Sequence, residues 1–226
     1  MIPRPSHPMA LALDVSDLSE AERLARLLTP EVGVLKIGLE LFWAHGPEAV
    51  HRIRAQGPVF VDCKLHDIPN TVERASANVA RLGVRMFNVH ALGGDAMMRA
   101  ALDGAKRGAD DVGVAMPLVL GVTVLSSHAG EGLASPASLA WEAKEAGLDG
   151  VVVSGDDVKD VRDACGDAFC LVVPGIRPAN AHAADQKRVM TPRAALDAGA
   201  SILVIGRPVT GAEDPGIAVR EIAGTL

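Results

Sequence analysis

The chain of 226 residues has no tyrosine, two tryptophans and four phenylalanines. It also lacks a run of basic residues, and its formal net charge is −6. Without stacking surfaces or a cationic stripe it has neither the base platform nor the phosphate-tracking groove of a nucleic-acid binder, and an anionic membrane surface would repel it. Three cysteines, Cys63, Cys165 and Cys170, make no C-x-x-C pair and no Cys/His zinc spacing. Reduced thiols, and hence a cytoplasmic location, are the simplest expectation. No apolar run approaches the roughly 18 residues of a membrane helix. The first eight residues carry Pro3, Pro5 and Pro8 but no apolar stretch of the kind that directs secretion. We read residues 1–8 as an N-terminal extension and residues 9–226 as one domain.

Apolar residues, by contrast, make up 49% of the chain, and they occur in short runs. Eight of these read as strands: Met9 to Val15, Val32 to Gly38, Val59 to Lys64, Met86 to Ala91, Leu118 to Val124, Gly150 to Ser154, Cys170 to Val173 and Ser201 to Ile205. Between them lie segments with apolar residues at helical spacing, such as Leu18 to Leu28, Pro47 to Gln56, Val72 to Leu82, Ala96 to Lys106 and Pro136 to Ala146. Repeated strand–helix alternation requires parallel strands joined by right-handed crossovers, and eight such units close into a single (β/α)8 TIM barrel. The rival is a doubly wound open sheet, weakened by the absence of a G-x-G-x-x-G after the first strand.

Active sites of such barrels lie at the C-terminal ends of the strands, and charged residues are predicted there on three neighbouring strands. Asp14 ends the first, Lys36 lies on the second, and Asp62 and Lys64 end the third. His90 is on the fourth. Strand alternation puts Phe60, Asp62 and Lys64 on one face and Val59, Val61 and Cys63 on the other, so the charged pair is expected toward the barrel axis. Two amines and two carboxylates there balance one another. They form either a structural ion-pair plug or an array that sets pKa values for proton transfer. Asp67, before Ile68 and Pro69, has the further reading of a helix cap.

The run Asp62-Cys63-Lys64-Leu65-His66-Asp67-Ile68-Pro69-Asn70-Thr71 resembles the signature of the orotidine 5′-phosphate decarboxylase family. Lys36-Ile-Gly-Leu-Glu-Leu-Phe, the Leu-Asp-Val around Asp14, Val-Thr-Val-Leu-Ser-Ser at 122–127, Pro-Gly-Ile-Arg at 174–177, Asp185-Gln186 with Arg188, and Ile205-Gly206-Arg207 resemble it too, in the family's order. The resemblance implies a carboxy-lyase that releases CO2 from C6 of orotidine 5′-monophosphate without metal or organic cofactor. It implies that Lys64 stabilises and protonates the C6 carbanion, that Asp62 faces the departing carboxylate, and that Asp67 enters the site of the other subunit of a homodimer to complete an array with Lys36. Asp14 and Lys36 would bind the ribose, with Thr71 from the partner subunit. Ile68 would line an apolar pocket, and Ser126 would recognise the pyrimidine. Arg177, Gln186, Gly206 and Arg207 would hold the phosphate.

Departures from the family pattern are Ala184 in place of a usual glycine, Cys63 in place of leucine and Ser126 where threonine is common. His66 and His90 read as structural, because lysine already supplies the proton. Two rivals remain at this point. Related sugar-phosphate decarboxylases and aldolases share an Asp-x-Lys-x-x-Asp run but use magnesium, with an acidic ligand where this chain has Lys36. A non-catalytic phosphoribosyl-ligand sensor would keep Arg177, Gln186 and Arg207 without need of the charged array.

Overall fold

The computed structural model describes residues 7–124, 134–178 and 190–226. Eight parallel strands close on themselves in sequence order: β1 (Met9–Ala12), β2 (Val34–Ile37), β3 (Val59–Leu65), β4 (Met86–His90), β5 (Leu118–Val122), β6 (Gly150–Val152), β7 (Cys170–Val173) and β8 (Ile202–Ile205). The outer ring is built from α1 (Leu18–Leu28), α2 (Leu39–His45), α3 (Pro47–Arg54), α4 (Pro69–Arg81), α5 (Gly94–Val112), α6 (Pro136–Glu145), α7 (Val158–Cys165), α8 (Pro192–Asp197), α9 (Arg207–Thr210) and α10 (Pro215–Ala223). The chain is therefore the single (β/α)8 barrel that strand–helix alternation predicts, and the open-sheet rival is excluded by the β1–β8 pairing of Met9 with Leu203 and Leu11 with Ile205. Pro8 already contributes to this closure, its carbonyl accepting the Leu203 N–H at 2.7 Å.

Period-two alternation explains the two apolar layers. Ala10, Ala12, Val34, Phe60, Met86, Leu120, Val172, Ile202 and Val204 fill the barrel interior. Leu11, Leu35, Val59, Val61, Phe87 and Val89, one residue out of phase, pack instead against the helices. Counting on in steps of two from the interior set reaches Asp14 after β1, Lys36 on β2, Asp62 on β3, and Asn88 and His90 on β4. Interior polarity thus begins where the apolar filling ends, at the C-terminal rim.

Helix boundaries follow local chemistry. The Asp17 side chain accepts the Glu20 N–H at 2.7 Å and starts α1, whose buried Leu18, Ala21, Leu24, Ala25 and Leu28 have helical spacing. Helix α5 runs longer than the Ala96 to Lys106 segment predicted for it, reaching Gly113, which caps it at φ 68°. Its glycines allow close contact with α4: a Cβ at Gly104 would lie 2.0 Å from the Glu73 carbonyl oxygen, and one at Gly108 2.1 Å from that of Ala77. The interlocking fixes α4, and with it the loop that carries Asp67. Among the described residues no helix is long and apolar enough to cross a membrane.

Candidate active site

Three neighbouring strands bring the predicted charges into one chain of contacts. The Lys36 ammonium lies 3.1 Å from an Asp14 oxygen and 3.3 Å from Asp62 Oδ2. On the other side, Lys64 Nζ donates to Asp62 Oδ1 at 2.7 Å. Exposure differs along this chain: the Lys36 and Asp62 side chains retain 8% and 15% of their accessible surface, against 50% for Asp14. Burial by itself would push the Lys36 ammonium down, but the Asp62 and Asp14 charges outweigh it and leave its pKa above the ordinary lysine value. Burial likewise opposes the ionised form of Asp62, and the Lys36 and Lys64 charges overcome it, so that carboxyl is held below its usual range. Both charges of the inner pair are therefore retained at neutral pH.

Gly38 is part of this arrangement, although nothing in the linear pattern singles it out beyond its place after Lys36-Ile37. A Cβ there would stand 2.8 Å from Asp14 Oδ1 and 3.1 Å from Lys36 Nζ. Any side chain at 38 would push the carboxylate and ammonium apart.

Lys64 reaches Asp62 by a route that simple alternation does not describe. Residues Val61 to Leu65 of β3 advance four positions while their β4 partners, Phe87 to Val89, advance two, so β3 bulges. Within the bulge Lys64 has φ 50°, the one positive value at a non-glycine position among the described residues. The left-handed backbone turns its side chain back over Asp62. Asn88, 1% exposed, lies against both residues: its Oδ1 accepts the Lys64 N–H at 2.8 Å, and its Nδ2 donates to Asp62 Oδ1 at 2.7 Å. Sequence reasoning missed Asn88. The signal was present, because in Met86-Phe87-Asn88-Val89-His90 the asparagine falls in phase with interior Met86, where an unsatisfied amide would be costly.

Asp67, Ile68 and Thr71 are not brought to this group within the chain. All three are exposed at the start of α4, and Ile68 retains 65% of its surface. The Asp67 carboxylate accepts the N–H of the adjacent Ile68 at 2.7 Å, and the helix N-terminus has no side-chain cap, so the capping role considered for Asp67 is not formed. Ser126 and Gln186 lie outside the described residues.

One cavity at the C-terminal end of the barrel is lined by Asp14, Lys36 and Asp62 together with Arg177, Gly206 and Arg207. Arg177 follows β7 and is buried, its backbone N–H donating to the Met190 carbonyl at 3.1 Å. Gly206 follows β8, where an added Cβ would stand 3.3 Å from that of Ala12 and 3.7 Å from Asp14 Oδ2. Arg207 opens α9. Two guanidiniums sharing a cavity with an ammonium–carboxylate chain can hold a strongly acidic oxyanion at one place and stabilise developing negative charge at another.

The remaining titratable neighbours are poorly suited to acid–base work. Burial, then the charges of His66 and Lys64, lowers the His90 pKa, leaving its imidazole neutral at neutral pH; the two histidine rings lie 5.3 Å apart. Burial, then the Asp62 charge, pushes the Cys63 thiol up to about 11. Because the thiolate is the reactive form, alkylation of Cys63 by iodoacetamide at pH 8 should be much slower than that of a free cysteine and should accelerate only above about pH 10. Peptide mapping by mass spectrometry would read this directly, and rapid labelling at pH 8 would contradict the half-buried, acid-flanked setting.

Comparison with known proteins agrees with this geometry. Residues 7–222 match the family described as orotidine 5′-phosphate decarboxylase / HUMPS family. Proteins named orotidine 5′-phosphate decarboxylase from Moorella thermoacetica and Pelobacter propionicus are 46% and 48% identical, over 96% and 95% of this chain and 90% and 93% of theirs. The crystal structure of orotidine 5′-phosphate decarboxylase from Lactobacillus acidophilus is 36% identical, superposes with a TM-score of 0.83 and covers 99% of each chain. With a family match over nearly its whole length and relatives this similar, the chain belongs to the orotidine 5′-phosphate decarboxylase / HUMPS family.

Proposed function

We propose that this chain decarboxylates orotidine 5′-monophosphate to UMP and CO2 without a metal or organic cofactor, as a step of pyrimidine synthesis. The bond from C6 to the carboxyl carbon breaks, CO2 departs, and the electron pair stays on C6. The Lys64 ammonium, beside C6, stabilises that charge and transfers a proton to it, forming the C6–H bond of UMP and leaving a neutral amine. Asp62 faces the departing carboxylate and holds Lys64 in place. Asp14 and Lys36 bind the ribose hydroxyls. Ser126 reads the pyrimidine, and Arg177, Gln186, Arg207 and the Gly206 backbone hold the phosphate. Binding energy from that remote group then helps to organise the site around C6.

The observation that carries this reading is the Asp14–Lys36–Asp62–Lys64 contact chain. A cation occupies the space between the Asp14 and Asp62 carboxylates, where a magnesium-dependent relative would need an acidic ligand. The curated relatives quoted above carry the decarboxylase name. Exposure of Asp67, Ile68 and Thr71 on the rim supports a homodimer in which Asp67 of the partner subunit completes the array and Thr71 of the partner subunit reaches the ribose. We place the enzyme in the cytoplasm, where the thiols of Cys63, Cys165 and Cys170, none of them in a disulfide, would remain reduced.

The deciding experiment follows the absorbance of orotidine 5′-monophosphate with purified protein and excess EDTA. Full turnover is expected. Turnover that requires added Mg²⁺ would favour the metal-dependent relatives, and binding of the nucleotide without turnover would favour a sensor.

A further inference from the structure

Asn88 is the buried polar residue whose side chain touches both the base of the Lys64 backbone turn and the carboxylate that receives the Lys64 ammonium. We propose that Asn88 is the positioning residue of the site, holding Lys64 in its left-handed conformation and Asp62 in its rotamer so that the ammonium is presented at a single place. The inference rests on the decarboxylase reading above.

The contacts close a ring. Asn88 Oδ1 accepts from Lys64 N, Lys64 Nζ donates to Asp62 Oδ1, and that same oxygen accepts from Asn88 Nδ2, with the three distances between 2.7 and 2.8 Å. The orientation of the amide is determined chemically, since a backbone N–H can only donate and a carboxylate can only accept. A primary amide offers its acceptor and its donor on two separate atoms, at any pH and without adding charge. A carboxylate loses the donor, and an aliphatic residue loses both. The Lys64 conformation is intrinsically unfavourable for a residue with a Cβ, so it persists only while its surroundings hold it. Asn88 supplies that hold from a different strand, and Asn88 itself is anchored in β4 by register with Leu120 of β5.

Asn88→Ala and the isosteric Asn88→Asp test this. In the first, kcat should fall about 10- to 100-fold, the loss expected for a buried hydrogen bond to a charged group, with KM little changed because Asn88 is not among the residues lining the cavity. In the second, the new carboxyl keeps the acceptor for Lys64 N–H but opposes Asp62. The groups facing it are Asp62 and Lys64 of β3, Lys36 of β2 through Asp62, His90 of its own strand, and uncharged Leu120 of β5. Like charges raise the affinity of the carboxyl pair for one shared proton, and that proton restores the missing donor. Activity of Asn88→Asp should therefore rise as pH falls from 8 to 5.5 relative to wild type and to Asn88→Ala, which carry the same histidines. A merely structural asparagine would lower stability without this acid rescue.

Wild-type kcat in a folded Asn88→Ala, or an Asn88→Asp profile parallel to wild type, overturns the proposal. If the alanine variant does not fold, the isosteric variant decides alone. Loss of wild-type turnover itself would instead remove the decarboxylase reading, so the two failures are distinguishable.

Discussion

Lys64→Ala is expected to reduce turnover of orotidine 5′-monophosphate by at least about 10⁴-fold. In the proposed mechanism, loss of a positioned general acid would account for about 10²–10⁴ of this, and loss of the charge facing the developing carbanion for about 10²–10³ more. The fold should survive. Asp62 keeps Lys36 at 3.3 Å and Asn88 at 2.7 Å, so no buried carboxylate is left without partners. Lys64→Gly sharpens the test, because glycine escapes the cost of about 1–2 kcal/mol that a Cβ incurs in the left-handed region. It should be as inactive as Lys64→Ala yet melt at a higher temperature. If the proposed shared site exists, mixing Lys64→Ala with Asp67→Ala chains should then restore part of the wild-type activity, since a mixed dimer would have one site with both residues intact. Retention of substantial activity in Lys64→Ala would sink the mechanism, and failure of the mixture to recover would sink the shared site.

Removing the cation between the two carboxylates should cost most in stability. Lys36→Met keeps the length of the side chain but leaves Asp14 and Asp62 facing each other across an apolar group. Breaking a buried ion pair costs about 3–5 kcal/mol, and the Lys64 and Asn88 contacts to Asp62 reduce this to about 2–3 kcal/mol, a fall in Tm of roughly 5–10 °C. The pH dependence carries the diagnosis. The Asp62 pKa is depressed in the folded protein, so its contribution is full above the unfolded value of about 4 and is lost as pH falls through the lower folded value. The Lys36 pKa is raised, so its contribution is full below the unfolded value of about 10.4 and is lost as pH rises through the higher folded one. In Lys36→Met the acid limb of a plot of Tm against pH should move to higher pH, because Asp62 is less depressed, and the Lys36 contribution to the alkaline limb should disappear. Superimposable limbs would show that the pair contributes no net coupling. Activity should fall as well, because Lys36 is proposed to bind the ribose.

Strand β3 illustrates how far sequence reading reaches. Phe60 and Asp62 alternate with Val59 and Val61, and their separation into an interior and a helix-facing set is a property of any pleated strand, so both faces are legible in the sequence. The next two residues were not. Alternation predicts that Lys64 simply follows Asp62 on the inward face, whereas a bulge and a left-handed turn carry it there. A bulge depends on the match between two strands and has no signature in one of them. The ends of the strands also differ from the alternation: Leu13 and Val15 continue the apolar phase of β1, but its ladder ends at Ala12, with one further bond from the Leu13 N–H to the Lys36 carbonyl.

Linear order and residue type determined that this chain makes eight strand–helix units, that its charged residues fall at the strand ends, and which family its motifs resemble, because periodicity and spacing are local properties of a polymer. Tertiary structure alone decided that Lys36 stands between Asp14 and Asp62, that Gly38 must lack a side chain, and that Asn88 joins Lys64 to Asp62. Those relations exist only once the sheet closes, since barrel curvature brings together atoms from strands 20 or more residues apart, and hydrogen bonding between them is set by distance and angle that no single segment encodes.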